Sequence, residues 1–155
     1  MQINRRGFIL TGFALGYLAS LPVSAQVQLS IHVVKDPGCP CCNGWISHLR
    51  ANDFAVTVEE RSIEALAVFK REQGIPDALV SCHTATSEGY TIEGHVPAAD
   101  IRRLLAARPD AIGLAVPGMP FGSPGMGPET EREAYDVVLI GRDGTATTFT
   151  AYAAA

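Results

Sequence analysis

Residues 29–42 read Leu29-Ser30-Ile31-His32-Val33-Val34-Lys35-Asp36-Pro37-Gly38-Cys39-Pro40-Cys41-Cys42, so a cysteine cluster follows directly after a β-branched run. Such a run predicts a strand, and Asp36-Pro37-Gly38 supplies the turn residues that end it. Apolar residues then recur at helical spacing between Trp45 and Leu49, which predicts a helix over roughly 42–51. We therefore expect the cysteines to lie between a strand and the first turn of a helix.

The rest of the chain predicts alternating strands and helices. Ser62 is a candidate N-cap for a second helix that carries Ile63, Leu66 and Phe69 on one face and ends at Gly74. The other predicted elements are strands at 54–58, 78–82 and 90–93, a third helix between Pro97 and Pro109, and strands at 135–140 and 145–152 around the hairpin signal 141–144. This is the element order of an α/β thioredoxin-like domain with an added C-terminal β-hairpin.

Composition and charge exclude several classes of protein. The chain has 155 residues, of which 47% are hydrophobic and 18% charged, and this is too apolar for a disordered protein. A net charge of −4 argues against a nucleic-acid-binding protein, which would show a basic face. No apolar run reaches the roughly 18 to 20 residues of a membrane span. We therefore expect one folded domain that is not inserted stably in a membrane.

Residues 1–25 have the order of an export signal. Arg5-Arg6 is followed by a largely apolar stretch, and Val23-Ser24-Ala25 offers the small residues that signal peptidase accepts, with cleavage expected before Gln26. The arginine pair resembles a twin-arginine signal; a general secretory route and a retained N-terminal anchor are the alternatives. We expect a periplasmic domain of residues 26–155, whose net charge becomes −6 after the loss of both arginines.

All four cysteines lie in that domain, in a compartment where disulfides are allowed. Cys39 and Cys42 have the C-x-x-C spacing of thiol-disulfide oxidoreductases. A helix start favours thiolates, which are both redox nucleophiles and ligands of soft metals, so position alone does not choose between these roles. Cys41 favours the metal, because a dithiol enzyme does not need it, whereas copper(I) clusters share several thiolates. A single zinc tetrahedron fits less well, because the adjacent Cys41 and Cys42 would strain to chelate one ion.

Residues 117–128 are a segment in which neither a helix nor a strand ladder is expected, because eight of the twelve residues are Pro or Gly. We call it the Pro-Gly-Met loop, since that unit occurs in it twice, seven residues apart. Met119 and Met126 are the only methionines of residues 26–155. One interpretation of the loop is a solvated linker; the other is that it presents two thioethers to a soft metal.

Histidines offer further ligands. His83 follows Cys82 directly and His95 precedes Val96-Pro97, and both are candidate imidazole ligands. His32, in a strand, and His48, on a helix, are predicted to be structural. Pro76 stands where a thioredoxin-like domain places a cis-proline, and a cis-proline there would bring Cys82, at the end of the following strand, towards the start of the first helix.

Four segments of the chain resemble the CopG-like family of bacterial copper-resistance proteins. They are Cys39-Pro40-Cys41-Cys42, Ser81-Cys82-His83-Thr84-Ala85, Gly89-Tyr90-Thr91-Ile92-Glu93-Gly94-His95-Val96-Pro97 and Gly113-Leu114-Ala115-Val116-Pro117-Gly118-Met119-Pro120. The resemblance covers about residues 30–152. It implies a periplasmic thioredoxin-like domain that holds a cysteine-bridged copper cluster and handles copper, with other periplasmic copper-handling proteins as partners.

The resemblance also implies a set of ligands. By position, the thiolate ligands are Cys39, Cys41, Cys42 and Cys82, and the candidates that complete the site are His83, His95, Met119 and Met126. The chain departs from the expected family pattern around Met126, where Gly stands in place of an acidic residue.

Two other functions stay open at this stage. A thiol-disulfide oxidoreductase would depend on Cys39 and Cys42 but not on Cys41. A small interaction module held by two disulfides would have no free thiols and no metal-dependent stability. Neither of these functions requires the two thioethers of the Pro-Gly-Met loop.

Overall fold

The computed structural model describes residues 28–155. This range contains three α-helices and seven strands, and the strands form a single sheet, so the predicted mixed α/β class is confirmed. The predicted export signal and its cleavage site lie outside the described residues. None of the helices in residues 28–155 is long and apolar enough to cross a membrane.

The elements alternate along the chain. The strands are β1 Ser30–Lys35, β2 Ala55–Glu60, β3 His83–Ser87, β4 Tyr90–Glu93, β5 Ala111–Ala115, β6 Tyr135–Gly141 and β7 Ala146–Tyr152. The helices are α1 Pro40–Ala51, α2 Ile63–Glu72 and α3 Ala98–Ala107, with single 3-10 turns at Asp77–Leu79 and Glu129–Glu131.

The sheet has the order β2-β1-β3-β4-β5-β6-β7. β1 pairs with β2 and β4 pairs with β5 in parallel, and every other neighbouring pair is antiparallel. Parallel neighbours need a crossover connection, and α1 and α3 provide the two crossovers. The carboxyl end of β1 therefore leads straight into the cysteine cluster at the start of α1.

Helices cover both faces of the sheet. Trp45 of α1 and Ile101 of α3 belong to one main core, together with Ala85 of β3. α2 lies on the opposite face, since its Lys70 contacts Thr84, and the side chains of Thr84 and Ala85 alternate across β3. The site described below is built where the main-core face meets the end of the sheet.

Helix α2 begins where the sequence predicts it. The hydroxyl of Ser62 accepts a hydrogen bond from the backbone N–H of Ala65 at 3.3 Å, which satisfies one free donor of the first turn. The predicted apolar face is only partly correct, because Leu66 is buried while Ile63 is 69% exposed. One turn after Leu66, the next buried residue of α2 is the charged Lys70.

The third strand begins later than the sequence predicts. The predicted strand at 78–82 is wrong, because Asp77–Leu79 form a 3-10 turn and β3 starts only at His83. Pro76 is the N-cap of that turn, and no peptide bond within residues 28–155 is cis, so the expected cis-proline is wrong as well. Cys82 consequently precedes β3 instead of ending it.

Strand β5 is not predicted from the sequence pattern. Its sequence, Ala-Ile-Gly-Leu-Ala, is rich in residues that are depleted in strands, so local preference does not indicate one. Gly113 lies so close to the backbone of Thr91 in β4 that a Cβ would overlap the Thr91 carbonyl. Tertiary packing, and not propensity, makes this segment a strand.

Candidate metal centre

Helix α1 begins inside the cysteine cluster. Cys39 is the N-cap residue and Pro40 the first helical residue, a position where the missing N–H of proline costs nothing. The Sγ of Cys39 accepts a hydrogen bond from the backbone N–H of Cys42 at 3.3 Å. One helical turn thus brings the two C-x-x-C residues side by side, with 5.4 Å between their Cα atoms.

Cys39 and Cys42 form a disulfide, whereas Cys41 and Cys82 are free thiols. Only a thiolate is a metal ligand, so a site that uses all four sulfurs requires the reduced form of this pair. The structure therefore has one disulfide with two free thiols beside it.

The four cysteine sulfurs converge on one point. The Sγ of Cys41 lies 3.5 Å from that of Cys39 and 3.7 Å from that of Cys82, and the Sγ atoms of Cys42 and Cys82 are 3.6 Å apart. All four lie within 4.8 Å of one another. Two thiolates that share one tetrahedral ion at about 2.3 Å must lie about 3.8 Å apart, so these separations suit a shared metal.

Cys82 joins the sulfurs to a pair of imidazoles. Its Sγ lies 3.2 Å from Nδ1 of His83 and 3.1 Å from Nε2 of His95, and these three ligand atoms form a second group within 4.8 Å. Nδ1 of His95 donates to the carbonyl of Pro124 at 2.8 Å, which leaves the lone pair of Nε2 directed at Cys82. Cys82 is therefore common to both candidate groups.

Burial controls the protonation of these ligands. Burial lowers the pKa of His95, and it lowers the pKa of His83 well below the ordinary value, with the neighbouring His95 acting in the same direction. Burial therefore favours the neutral form of both imidazoles, which is the form that binds a metal. Burial, followed by the proximity of Cys41, raises the pKa of the Cys82 thiol to about 12, so a metal that binds it must displace a proton.

Trp45 forms one wall of the site. Its ring lies 4.3 Å from that of His83, centroid to centroid, and its Nε1 donates to the carbonyl of Val96 at 2.8 Å. His83 is fully buried, and its Nε2 has no hydrogen-bond partner among the described residues. The sequence places Trp45 on the apolar face of α1, but nothing in it indicates the ring contact with His83.

The Pro-Gly-Met loop contacts the site next to each methionine. The hydroxyl of Ser81 donates to the carbonyl of Gly118, which precedes Met119. At the second unit, a Cβ on Gly125 would lie 2.9 Å from the carbonyl oxygen of Cys41, so the backbone before Met126 packs against the start of α1. Met119 itself is 54% exposed, and Met126 is half-buried.

The other two histidines lie apart from the site. His32 bonds Thr57 and Glu59 on the neighbouring strand β2. Nε2 of His48 accepts a hydrogen bond from the backbone N–H of Ala98, so this side chain satisfies a donor at the start of α3. Both have structural partners.

A buried ion pair lies behind Cys82, and the sequence pattern does not predict it. Lys70 and Glu93 meet at 2.6 Å on the α2 face of the sheet. Lys70 also lines a cavity of ≈330 Å³ that reaches Cys39 and Cys82. The only signal in the sequence is a lysine one turn after Leu66, on the face of α2 that turns inward.

Comparisons with known proteins found one family profile and two solved structures. A family profile described as "Protein of unknown function, DUF411" matches residues 79–126, the part of the chain with Cys82, both clustered histidines and both methionines. Two solved structures are similar to the chain over nearly their whole length, and both are titled as copper resistance protein copG. A search of curated proteins found no significant match.

The two structures resemble this chain to the same degree. Form 2 is 45% identical, with a TM-score of 0.75, and the alignment covers 80% of this chain and 98% of that chain. Form 1 is 44% identical, with a TM-score of 0.76, and its alignment covers 81% of this chain and 98% of that chain.

Proposed function

The chain belongs to the CopG-like family of copper resistance proteins, and from this premise we propose that it binds copper(I) in a cysteine-bridged, multinuclear site. Its role would be copper resistance or copper homeostasis. The observation that carries the proposal is the convergence of four cysteine sulfurs and two neutral imidazoles within two overlapping groups that share Cys82.

The donor set selects a soft metal. Thiolates and thioethers favour copper(I) over hard cations, and imidazole also suits copper. The Sγ of Cys41 lies 3.5 Å from that of Cys39 and 3.7 Å from that of Cys82, which supports a bridging role for Cys41 in this proposal. We therefore assign Cys39, Cys41, Cys42 and Cys82 as thiolate ligands, with His83 and His95 completing the site.

The Pro-Gly-Met loop would control access to the copper. Gly118 and Pro124 anchor it to Ser81 and His95, next to the cluster. In this proposal Met119 and Met126 supply thioethers to copper as it enters or leaves. The exposure of Met119 favours such a role in transfer over a permanent place in the site.

The same proposal includes export and the finer fold class. Residues 1–25 would direct the protein to the periplasm and be removed near Ala25, leaving residues 26–155 as one domain without stable membrane insertion. We assign this domain to the thioredoxin-like folds, with β6 and β7 as an added C-terminal hairpin. The partners would be copper ions and other periplasmic copper-handling proteins.

A second candidate function is supported by the disulfide between Cys39 and Cys42. A thiol-disulfide oxidoreductase would oxidise and reduce this pair, and Cys82 and the histidines would lie beside it without taking part in the reaction. The two functions differ in what they require of Cys41, which lies outside the disulfide.

The deciding experiment is an anaerobic titration of the reduced, exported protein with copper(I) against a chromophoric competitor. We expect tight uptake of more than one copper ion per chain, and a lower stoichiometry in Cys41→Ser. A Cys39→Ser variant should lose copper in the same way, because the cluster needs both sulfurs. Absence of competition, together with disulfide cycling that Cys41→Ser leaves intact, would reject copper binding and support the oxidoreductase.

A further inference from the structure

We propose that Glu93 and Lys70 are positioning residues that hold Cys82 in its metal-binding geometry. The inference rests on the proposed function, because it concerns the same site. Neither residue lies in the two groups of metal-binding side chains, and both lie on the opposite side of the sheet.

Glu93 is the centre of a buried hydrogen-bond network. It is fully buried, and its Oε1 accepts from Nζ of Lys70 at 2.6 Å and from the backbone N–H of Ser81 at 2.7 Å. Its Oε2 accepts from the hydroxyl of Thr84 at 2.6 Å, and Lys70 also donates to that hydroxyl at 2.9 Å. Every polar atom of the carboxylate is thus occupied by a donor.

The bond to Ser81 fixes the chain beside Cys82. Ser81 and Cys82 lie between the 3-10 turn Asp77–Leu79 and β3, outside any strand ladder. A hydrogen bond from a backbone N–H to a buried carboxylate is charge-assisted and stronger than a neutral one. The Ser81 hydroxyl in turn holds the carbonyl of Gly118, so the same carboxylate also supports the Pro-Gly-Met loop.

A contribution to stability alone does not account for this arrangement. A buried ion pair is often replaced by apolar side chains without loss of stability, because burial of two charges costs as much as their attraction returns. An apolar replacement, however, offers no acceptor to the N–H of Ser81. Partners of this kind, which orient a metal ligand without touching the metal, typically contribute 10- to 100-fold to metal affinity.

Two double variants of the exported protein separate positioning from stability. K70M/E93L removes both charges and the acceptor for Ser81, whereas K70M/E93Q removes both charges and keeps a carbonyl oxygen there. We expect K70M/E93L to bind copper(I) about 10- to 100-fold more weakly, with fewer sulfur neighbours per copper in X-ray absorption spectra. K70M/E93Q should bind close to the wild-type affinity.

Asp100→Leu is the matched control. Asp100 is also a buried carboxylate with hydroxyl donors, Thr150 at 2.6 Å and Tyr152 at 2.8 Å, but it lies in α3 and is not connected to Cys82. The Asp100→Leu variant should be less stable than the wild type and should keep the wild-type copper affinity. Equal affinities in K70M/E93L and the wild type, equal losses in the Leu and Gln variants, or an equal loss in Asp100→Leu would each overturn the positioning role.

Two further results keep the test decisive. If K70M/E93L did not fold, as judged by circular dichroism, K70M/E93M would replace it, since its unbranched side chain likewise offers no carbonyl acceptor to the N–H of Ser81. Weaker copper binding by folded K70M/E93M than by K70M/E93Q would support positioning, and equal binding would overturn it. Absence of copper binding in the wild-type protein would instead refute the proposed function, which separates the two failures.

Discussion

The Sγ of Cys82 lies 3.1 Å from Nε2 of His95. His95 is thirteen positions later in the chain and lies outside the strands and helices. This contact connects the sulfur cluster at the start of α1 with the imidazoles at the end of the sheet. His95 is held in place from its other ring nitrogen by the carbonyl of Pro124, which belongs to the Pro-Gly-Met loop. The loop therefore orients a candidate ligand, although one of its own methionines, Met119, is exposed.

His95→Gln tests this relationship. Glutamine offers only an amide oxygen in place of the imidazole nitrogen, and this oxygen is a poor ligand for a soft copper(I) ion. We therefore expect copper(I) affinity to fall by at least the 10- to 100-fold typical of lost orienting partners. The competitor titration of reduced protein measures this. His32→Gln is the control, because His32 bonds Thr57 and Glu59 away from the site and should leave the affinity unchanged. Equal affinities of His95→Gln and the wild type would remove His95 from the ligand set.

Gly125→Ala tests whether the Pro-Gly-Met loop must pack against α1. A Cβ at this position would overlap the backbone N of Trp45, and the residue has a φ of +87°. We expect a loss of about 1–3 kcal/mol in the free energy of unfolding, measured with urea, from strain and displacement of the loop. Copper affinity should fall as well, because the displaced loop releases His95.

Gly89→Ala is the matched control for that change. Gly89 has the same φ of +87° but no neighbouring atom within 4 Å of the added Cβ. It should show the cost of backbone strain alone and keep the copper affinity of the wild type. A Gly125→Ala variant that matched Gly89→Ala in both measurements would show that the loop does not need its close contact with α1.

Much of the fold could be predicted because its signals are local. The N-cap of α2 at Ser62, the helix between Pro97 and Pro109, and the start of α1 all depend on residues close in sequence. Strand β5 could not be predicted, because a glycine at position 113 is required by close contact with the backbone of Thr91, which is distant in sequence. The prediction of a strand at 78–82 was wrong, because a short apolar run does not distinguish a strand from another buried segment.

The sequence indicates the candidate ligands of the site by residue type, but it does not indicate the residues that support them. Cysteine and histidine are common metal ligands, so these residue types indicate a possible metal site in any fold. The ion pair of Lys70 and Glu93 has no such signal, since both residue types are usually exposed and solvated. Only the three-dimensional structure shows that the two side chains meet behind Ser81.

Lys70→Met tests how strongly the protein depends on that ion pair. The change leaves the fully buried Glu93 without its cation, and loss of one partner from a buried pair typically costs about 3–5 kcal/mol of stability. K70M/E93L should lose much less, because no unpaired charge remains. Urea denaturation of the metal-free protein measures both.

Lys35→Met is the control for this prediction. Lys35 is 3% exposed and pairs with Glu60, whose side chain is 55% exposed and stays hydrated when its partner is removed. Loss of the ion pair between Lys35 and Glu60 should therefore lower the free energy of unfolding by about 1 kcal/mol or less. Similar losses in Lys35→Met and Lys70→Met would show that burial of the carboxylate partner does not control the cost.

Oxidation of Cys39 and Cys42 should lower the copper capacity of the protein. A disulfide removes two thiolates, so of the candidate cysteine and histidine ligands the oxidised form retains only Cys41, Cys82, His83 and His95. We expect fewer copper(I) ions per chain after treatment with a thiol oxidant, and full capacity after reduction with dithiothreitol. The measurement is the anaerobic titration applied to both forms, with free thiols counted beforehand.

The double variant C39S/C42S provides the comparison for that experiment. It cannot form the disulfide, so its copper capacity should equal that of the oxidised protein under both oxidising and reducing conditions. Equal capacities in the oxidised and reduced wild-type protein would show that Cys39 and Cys42 do not bind copper. Copper would then be confined to the group around Cys82, and the C-x-x-C pair would be left to redox chemistry.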